Sequence, residues 1–246
     1  MAENKPKDRC KVCKKPFISY PMGDKNGFKL IACKACGSVM ADPWMTQEEL
    51  DAYFGQVQPQ ITHLPDPDEE IKTMEDRIRK AVRKPEGKRF VDVASRQGYG
   101  VMAAKAAGMN ALGIDAHEFF AKFSQDVYGA DNFRHISTQD YAASDPPKAD
   151  IVFAIETFCE QADLEGFTAA LARLVAPGGS IYIEEVDGNN FNLPRNFIEW
   201  SYVEPPLNFV YLSKKGLTAL LGRHGLHIQK MFFTWQPIMR LIAAKQ

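Results

Sequence analysis

The stretch RFVDVASRQGYG, residues 89–100, decides the fold of this chain. Its apolar start, broken only by Asp92, predicts a buried β-strand, and a turn ending at Gly98 leads into a helix that begins near Tyr99. Such a turn leaves the first N–H groups of the helix unpaired and lets a ligand approach the backbone at a glycine. The first hypothesis is therefore nucleotide or nucleoside binding.

Strands and helices alternate after this stretch. Further strands are expected at residues 111–115, 133–136, 150–155 and 180–186, and helices at 99–107, 117–128 and 164–174. This order is typical of a parallel α/β sheet, to which residues 227–233 and 239–244 can add an antiparallel pair. A Pro-Gly-Gly turn at 177–179 is expected before the fifth strand, and Ser213 is expected to cap a helix that ends at Arg223.

The composition is that of a folded globular protein. The chain has 246 residues, of which 45% are hydrophobic and 25% charged, which excludes a fibrous or disordered class. Its apolar runs are shorter than the roughly 20 residues of a membrane span, and residues 1–10 lack the apolar core of a signal peptide. A cytoplasmic location without a membrane span is expected.

Cys10, Cys13, Cys33 and Cys36 form two C-x2-C pairs. This spacing is typical of a structural four-thiolate zinc site, and it predicts a zinc ribbon whose strands, at 17–20 and 28–31, pair around a turn at 23–27. With four protein ligands, the Zn²⁺ would have no open position for chemistry.

Charge is distributed unevenly along the chain. Residues 1–40 hold nine Lys or Arg and three Asp or Glu, so this segment carries a formal charge of +6 and the remainder −7. A basic module could attract an anionic partner. The favoured interpretation is that the lysines balance four metal-bound thiolates.

Three units are expected along the chain. Residues 46–49 (TQEE) form a capping box that predicts a helix to about Phe54, prolines mark a linker between residues 55 and 67, and residues 68–84 resume an apolar helical face. The expected domains are a zinc ribbon (1–45), a helical linker region (46–87) and a main domain (88–246) with an aromatic insertion at 187–211.

Asp115 ends the second strand of the main domain, 17 residues after Gly98. In a doubly wound sheet, an acid at this place lies beside the first turn and can accept hydrogen bonds from both hydroxyls of a ribose. The alternative is a capping role for the helix that starts at His117.

The order of these motifs resembles the class I S-adenosylmethionine-dependent methyltransferases. VDVASRQGYG (91–100) and GIDAHEFF (113–120) are similar to the first and second motifs of that family, and the fourth and fifth strands are similar to DIVFAIETFCEQ (150–161) and LARLVAPGGSIYIEEVD (171–187). The resemblance covers about residues 88–245. Residues 32–55 resemble a bacterial subgroup with an N-terminal four-cysteine zinc ribbon, often associated with modification of small molecules, sugars or cell-surface glycans.

The resemblance implies a Rossmann-like, seven-stranded sheet and S-adenosyl-L-methionine as the cofactor. It places Asp92 at the methionine amino group, Asp115 at the ribose and Asp140 at the adenine amino group. The cofactor-binding residues implied in this way are Asp92, Ala94, Gly98, Asp115, Gln139, Asp140 and Ile155.

The chain departs from the family at two places. Ala94 and Arg96 stand where the first motif usually has glycines, and a positive φ at Arg96 would be costly. Glu160-Gln161 stands where the helix after the fourth strand usually begins with Glu-His, so a histidine base is missing there.

Methyl transfer is an in-line displacement that depends chiefly on positioning, and a base is needed when the acceptor is a hydroxyl or an acidic carbon. Glu156, at the end of the fourth strand, is the first candidate base because of its location, and Glu160, Glu185 and Asp187 are alternatives. The aromatic residues of the insertion are expected to form a lid over the acceptor or a homodimer contact.

Three functions are compatible with these features. The leading hypothesis is methylation of a small-molecule acceptor, such as a sugar, nucleotide-sugar or glycan precursor. RNA methylation is disfavoured because the main domain is acidic, whereas a surface that binds phosphates is usually basic. The third, motivated by Arg96, is a non-catalytic binding protein that retains the fold.

Overall fold

A computed structural model describes residues 9–58 and 64–245. Its N-terminal strands β1 (Ser19–Lys25), β2 (Phe28–Cys33) and β3 (Val39–Asp42) form an antiparallel meander. Asn26 and Gly27 join β1 to β2 with φ values of 52° and 82°, as a two-residue hairpin turn with two left-handed residues requires. The turn predicted at 23–27 is therefore shorter, because residues 23–25 belong to β1.

Two helices follow the meander. Helix α1 (Gln47–Val57) begins at the predicted capping box, in which the Glu49 backbone N–H donates to the Thr46 hydroxyl at 3.2 Å. It extends three residues beyond the predicted end. Helix α2 (Pro67–Ala81) is capped by the Asp66 carboxylate and starts with a proline, whose missing N–H is harmless at that position. Residues 59–63 of the predicted linker lie outside the described residues.

The main domain alternates strands and helices. Its elements are β4 (Arg89–Val93), α3 (Tyr99–Ala106), β5 (Asn110–Asp115), α4 (Glu118–Tyr128), β6 (Phe133–His135), α5 (Thr138–Ala143), β7 (Ala149–Ile155), α6 (Leu164–Leu174), β8 (Val175–Val186), β9 (Val210–Tyr211), α7 (Lys214–Arg223), β10 (Leu226–Phe232) and β11 (Ile238–Lys245). The short helix α5 escaped the sequence prediction.

Seven of these strands form one sheet in the order β10-β11-β8-β7-β4-β5-β6. The strands from β8 to β6 are parallel, and β11 and β10 add the predicted antiparallel pair. This confirms the α/β class and the Rossmann-like, seven-stranded sheet. Because the chain order reverses between β4 and β7, a crevice opens at their carboxyl ends.

Both faces of the parallel strands are covered. Phe90, Phe153 and Tyr182 belong to one apolar cluster with residues of α2 and α3, whereas Val91 and Val152 belong to the cluster on the opposite face, which includes residues of α6 and α7. Burial on both sides explains why these strands read as continuous apolar runs in the sequence.

The Pro-Gly-Gly segment does not separate α6 from the fifth strand of the parallel sheet. Strand β8 already pairs with β7 at Val175, opposite Ala149, and its register shifts before Ser180 pairs with Ile151. The predicted turn at 177–179 is thus an irregularity inside β8, which begins earlier than expected.

The aromatic insertion takes part in the core. Its strand β9 pairs with β3, which makes it the fourth strand of the N-terminal sheet. Phe197, Trp200, Phe209 and Tyr211 are buried within the chain. These four side chains join the N-terminal sheet to the main domain, and the expected lid or homodimer contact stays a prediction.

Among the helices formed by residues 9–58 and 64–245, none is long and apolar enough to cross a bilayer.

Candidate cofactor-binding site

Two cavities open at the carboxyl ends of β4, β5 and β7. The first, of about 310 Å³, is lined by Asp92, Ala94, Arg96, Ile155 and Glu156 with residues of α2 and α3. The second, of about 370 Å³, is lined by Ala94, Asp115, Gln139 and Asp140 with residues of α1 and of the segment 160–163. Ala94 belongs to both linings, so the two cavities adjoin.

The turn after β4 has a left-handed backbone at the three positions where the family usually has glycines. Ala94, Arg96 and Gly98 have φ values of 52°, 47° and 81°. A left-handed backbone costs a non-glycine residue about 1–2 kcal/mol, so the turn carries strain at two positions. Strain of this kind is concentrated at functional sites.

Gly98, at the end of this turn, and Gly100, in the first turn of α3, are required by packing. A Cβ on Gly98 would lie 2.6 Å from the Phe133 ring, and a Cβ on Gly100 would lie 2.3 Å from Asp92 Oδ2. Within the described part of the chain, Gly98 lines neither cavity. Its visible role is to cap α3, whereas Gly100 lets the Asp92 carboxylate rest against the first turn of that helix.

Asp92 is a carboxyl group that resists ionisation. Burial raises its pKa to about 7, the nearby Asp115 carboxylate adds to the shift, and Arg77 opposes it. At neutral pH the group is therefore poised between its two protonation states, and a cationic ligand would favour the charged one.

Asp115 has both of the geometries expected for it. Its Oδ1 accepts from the His117 backbone N–H and its Oδ2 accepts from the Arg96 backbone N–H, each at 2.8 Å. Burial raises the pKa of this carboxyl, and these hydrogen bonds oppose the shift. The same carboxylate lines the second cavity, and each of its oxygens has a further lone pair for a ligand.

Comparison with known proteins agrees with this geometry. A family model described as a methyltransferase domain matches residues 68–230. This chain belongs to the methyltransferase family. The family predicted from the sequence, the class I S-adenosylmethionine-dependent methyltransferases, is thereby confirmed.

Named relatives match part of this chain. The ubiquinone biosynthesis O-methyltransferase of Thiobacillus denitrificans is 33% identical over 109 residues, which are 42% of this chain and 46% of that protein. The enzyme of the same name from Methylococcus capsulatus is 29% identical over 132 residues, 50% of this chain and 56% of that protein. The chain thus spans about half the length of the curated relatives it matches.

Solved methyltransferases share the fold at low sequence identity. The structure of magnesium protoporphyrin IX methyltransferase from Synechocystis PCC 6803 with bound SAH matches with a TM-score of 0.57 and 14% identity. The match covers 81% of this chain and 99% of that one. At this identity, the likeness shows the common fold.

The two departures of this chain from the family pattern meet in space. The Arg96 guanidinium, at the wall of the first cavity, forms an ion pair with Glu160, which lines the second. Burial raises the pKa of Glu160, and Arg96 opposes that shift. Arg96, which replaces a glycine of the first motif, is therefore paired with Glu160 of the altered Glu160-Gln161 segment. The ion pair lies between the two cavities.

Arg77 is a site residue that the sequence analysis missed. Its guanidinium donates to both oxygens of Glu184, at 2.6 and 3.0 Å, and Arg240 binds the same carboxylate. Arg77 also lines the first cavity. The available signal was its place beside the predicted apolar face of the helix, three residues after Met74.

The candidate bases occupy different environments. Glu156 lines the first cavity and has a positive φ of 52°, and its backbone N–H donates to the Glu184 carbonyl at 2.7 Å. Glu185 is fully buried, and burial raises its pKa well above the usual range. Asp187 lines a separate surface groove. Location in the first cavity thus favours Glu156 over Glu185 and Asp187.

The four cysteines predicted as metal ligands lie together. Their sulfur atoms are all within 4.8 Å of one another, with Sγ–Sγ distances of 4.0 Å between Cys10 and Cys36 and 3.9 Å between Cys13 and Cys33. Tetrahedral zinc with Zn–S bonds of about 2.3 Å separates its ligands by about 3.8 Å. The cluster therefore fits a tetrahedral thiolate site.

Proposed function

We propose that this chain transfers a methyl group from S-adenosyl-L-methionine to a hydroxyl group of a small molecule. One observation carries the proposal: Asp92, Asp115 and Glu156 meet at the carboxyl ends of three parallel strands, around two adjoining cavities. The O-methyltransferases among the relatives favour oxygen as the methylated atom. The sugar, nucleotide-sugar or glycan class of acceptor stays a prediction.

The residues around the cavities suit the parts of this cofactor. Asp115 would accept hydrogen bonds from the ribose hydroxyls, and Asp92 would accept one from the methionine ammonium group. Arg77 would donate a hydrogen bond to the methionine carboxylate. Gln139 and Asp140, in the second cavity, would face the adenine. When bound, the cofactor supplies an electrophilic methyl group on a positively charged sulfur, and the carboxylates of the crevice favour a cation at this place.

Glu156 is the proposed base. It follows Ile155 at the end of β7 and lines the cavity assigned to the methionine side. A carboxylate there can accept the proton that an acceptor hydroxyl loses as it is methylated. Its left-handed backbone fixes the direction in which the side chain leaves the strand.

We also propose that the cysteine cluster holds one structural Zn²⁺. Cys10, Cys13, Cys33 and Cys36 would supply four thiolates, which leave no coordination position for a substrate. The metal would stabilise the N-terminal sheet rather than take part in methyl transfer.

Isothermal titration calorimetry with S-adenosylmethionine and S-adenosylhomocysteine tests the cofactor assignment. The zinc-loaded wild type should bind both, and Asp115→Ala should weaken binding by at least about 100-fold, because two hydrogen bonds to a charged group contribute roughly 1.5–3 kcal/mol each. Asp115→Asn retains the shape of the side chain, and Asp126→Ala, on the exposed surface of α4, is the matched control.

The outcomes separate the hypotheses. A wild type that binds neither compound would contradict the enzyme proposal and favour a non-catalytic protein. Unchanged affinity in both Asp115 variants, with circular dichroism like that of the wild type, would contradict the ribose assignment alone.

A further inference from the structure

Helix α1 forms part of the wall of the second cavity. Gln47 and Asp51 line this cavity together with Asp115, His117 and Glu160. Both α1 residues precede the segment matched by the methyltransferase family model, which starts at residue 68. The chain therefore completes its cavity with a helix of the predicted linker region, which lies outside the matched segment.

This helix is fixed to the crevice by direct contacts. The Trp44 indole N–H donates to the Ala162 carbonyl at 3.2 Å, and the Ala162 backbone N–H donates to Gln47 Oε1 at 3.3 Å. At the far end of α1, the Phe54 ring lies 4.8 Å from the His117 ring. Helix α1 is thus held at both ends against the segments that carry the cavity.

The same helix is connected to the segment that carries the four cysteines, residues 9–42 (the cysteine module). Leu50 and Phe54 of α1 are buried, and they belong with Cys33, Cys36 and Val39 to the large apolar cluster that runs through both parts of the chain. Only residues 43–46 separate β3 from α1. Because β3 belongs to the sheet that carries the second C-x2-C pair, the position of α1 depends on the order of the cysteine module.

We propose that Asp51 accepts a hydrogen bond from a ribose hydroxyl of the cofactor, and that zinc and cofactor binding stabilise each other through α1. The inference rests on the proposed function. Gln47 Nε2 donates to Asp51 Oδ1 at 2.9 Å and so orients the carboxylate. Asp51 and Asp115 would then hold the ribose from two sides, one from each part of the chain.

Calorimetry on the zinc-loaded full chain tests the contact. Asp51→Asn should weaken S-adenosylhomocysteine binding about tenfold to 100-fold, as expected for one hydrogen bond to a charged group. Glu48→Gln makes the same chemical change on the exposed side of the first turn of α1 and should leave affinity unchanged. Equal affinity in the two variants would overturn the contact.

Competition with a chromogenic zinc chelator tests the coupling. Saturating S-adenosylhomocysteine should tighten zinc binding by the wild type several-fold, and by less in Asp51→Asn, because coupling between two sites is reciprocal. Zinc affinity that is the same with and without S-adenosylhomocysteine would overturn the coupling while the proposed function stands. A wild type that does not bind S-adenosylhomocysteine would overturn both.

Discussion

Asp92 links stability to pH at the scale of a single residue. Its pKa of about 7 in the folded protein lies above the ordinary 3.8, so the folded state holds this proton more tightly than the unfolded chain does. Its contribution to stability is therefore fully present below pH 3.8 and is lost as the pH rises to about 7. At about 1.4 kcal/mol per pKa unit, the loss amounts to a few kcal/mol.

We expect Asp92→Asn to raise the melting temperature at pH 8 by at least about 4 °C, with a smaller gain at pH 5, because the amide removes the cost of a buried charge. The same change should weaken S-adenosylmethionine binding. Thermal melts at the two pH values check this, with Asp126→Asn as an exposed control. A lower melting temperature at pH 8 would show that the Asp92 charge is compensated in the folded protein.

At this scale the sequence predicted positions better than pairings. A turn ending at Gly98 was expected, the cost of a positive φ at Arg96 was recognised, and Asp115 was expected beside this turn. The partner of Arg96 could not be read in advance, because Glu160 is 64 residues away and the ion pair depends on how two loops face each other across the crevice. The arginine at position 96, where the family usually has a glycine, is explained by its ion pair with Glu160.

Helix α2 is the element whose contribution to stability is easiest to measure separately. It is attached to the sheet through Arg77, whose partner Glu184 is 1% exposed and also accepts from Arg240 and Tyr182. These arginines hold the pKa of Glu184 below its usual range. Removing one partner of a buried ion pair leaves a charge without full compensation.

We expect Arg77→Met to lower the free energy of unfolding by about 2–4 kcal/mol, measured by urea denaturation at pH 7. Arg77→Met combined with Glu184→Gln should lose less, because the buried carboxylate charge is removed as well and the Arg240 side chain, which is 27% exposed, can be solvated. Arg79→Met, on the exposed face of the same helix, should change stability by less than about 1 kcal/mol, since its ion pairs are with exposed acids. Equal losses in the two single variants would contradict this account of α2.

Among the elements, those with a strong local pattern were predicted well. Helix α6 has the predicted bounds, because its apolar face and its cap at Asp163 both lie within or next to the helix in the sequence. Strand β9 has two residues, and it exists because the insertion meets β3 across the molecule. A strand of two residues is too short to produce a periodic pattern in the sequence. The fourth strand of the N-terminal sheet could therefore be identified only from the structure.

The whole molecule is expected to unfold as one unit, although its sequence suggested separate domains. Strand β9 comes from the main domain and pairs with the N-terminal sheet. Ser213 caps α7 and donates to the Cys36 carbonyl at 2.6 Å. Glu165 of α6 binds both Lys14 and Arg223. Disorder in the cysteine module would therefore remove contacts that the main domain needs.

Metal removal is the most direct test of whether the chain unfolds as one cooperative unit. We expect metal analysis to find one zinc per chain, and Cys33→Ser to lose the metal and to lower the melting temperature in a single calorimetric transition, because structural zinc contributes directly to folding. Cys159→Ser, which changes the buried cysteine outside the cluster, should keep its zinc. A separate low-temperature transition in Cys33→Ser, followed by melting of the main domain at its wild-type temperature, would show instead that the N-terminal module is an independent domain. It would also weaken the case for α1 as a fixed wall of the cofactor cavity, since that wall depends on the same contacts.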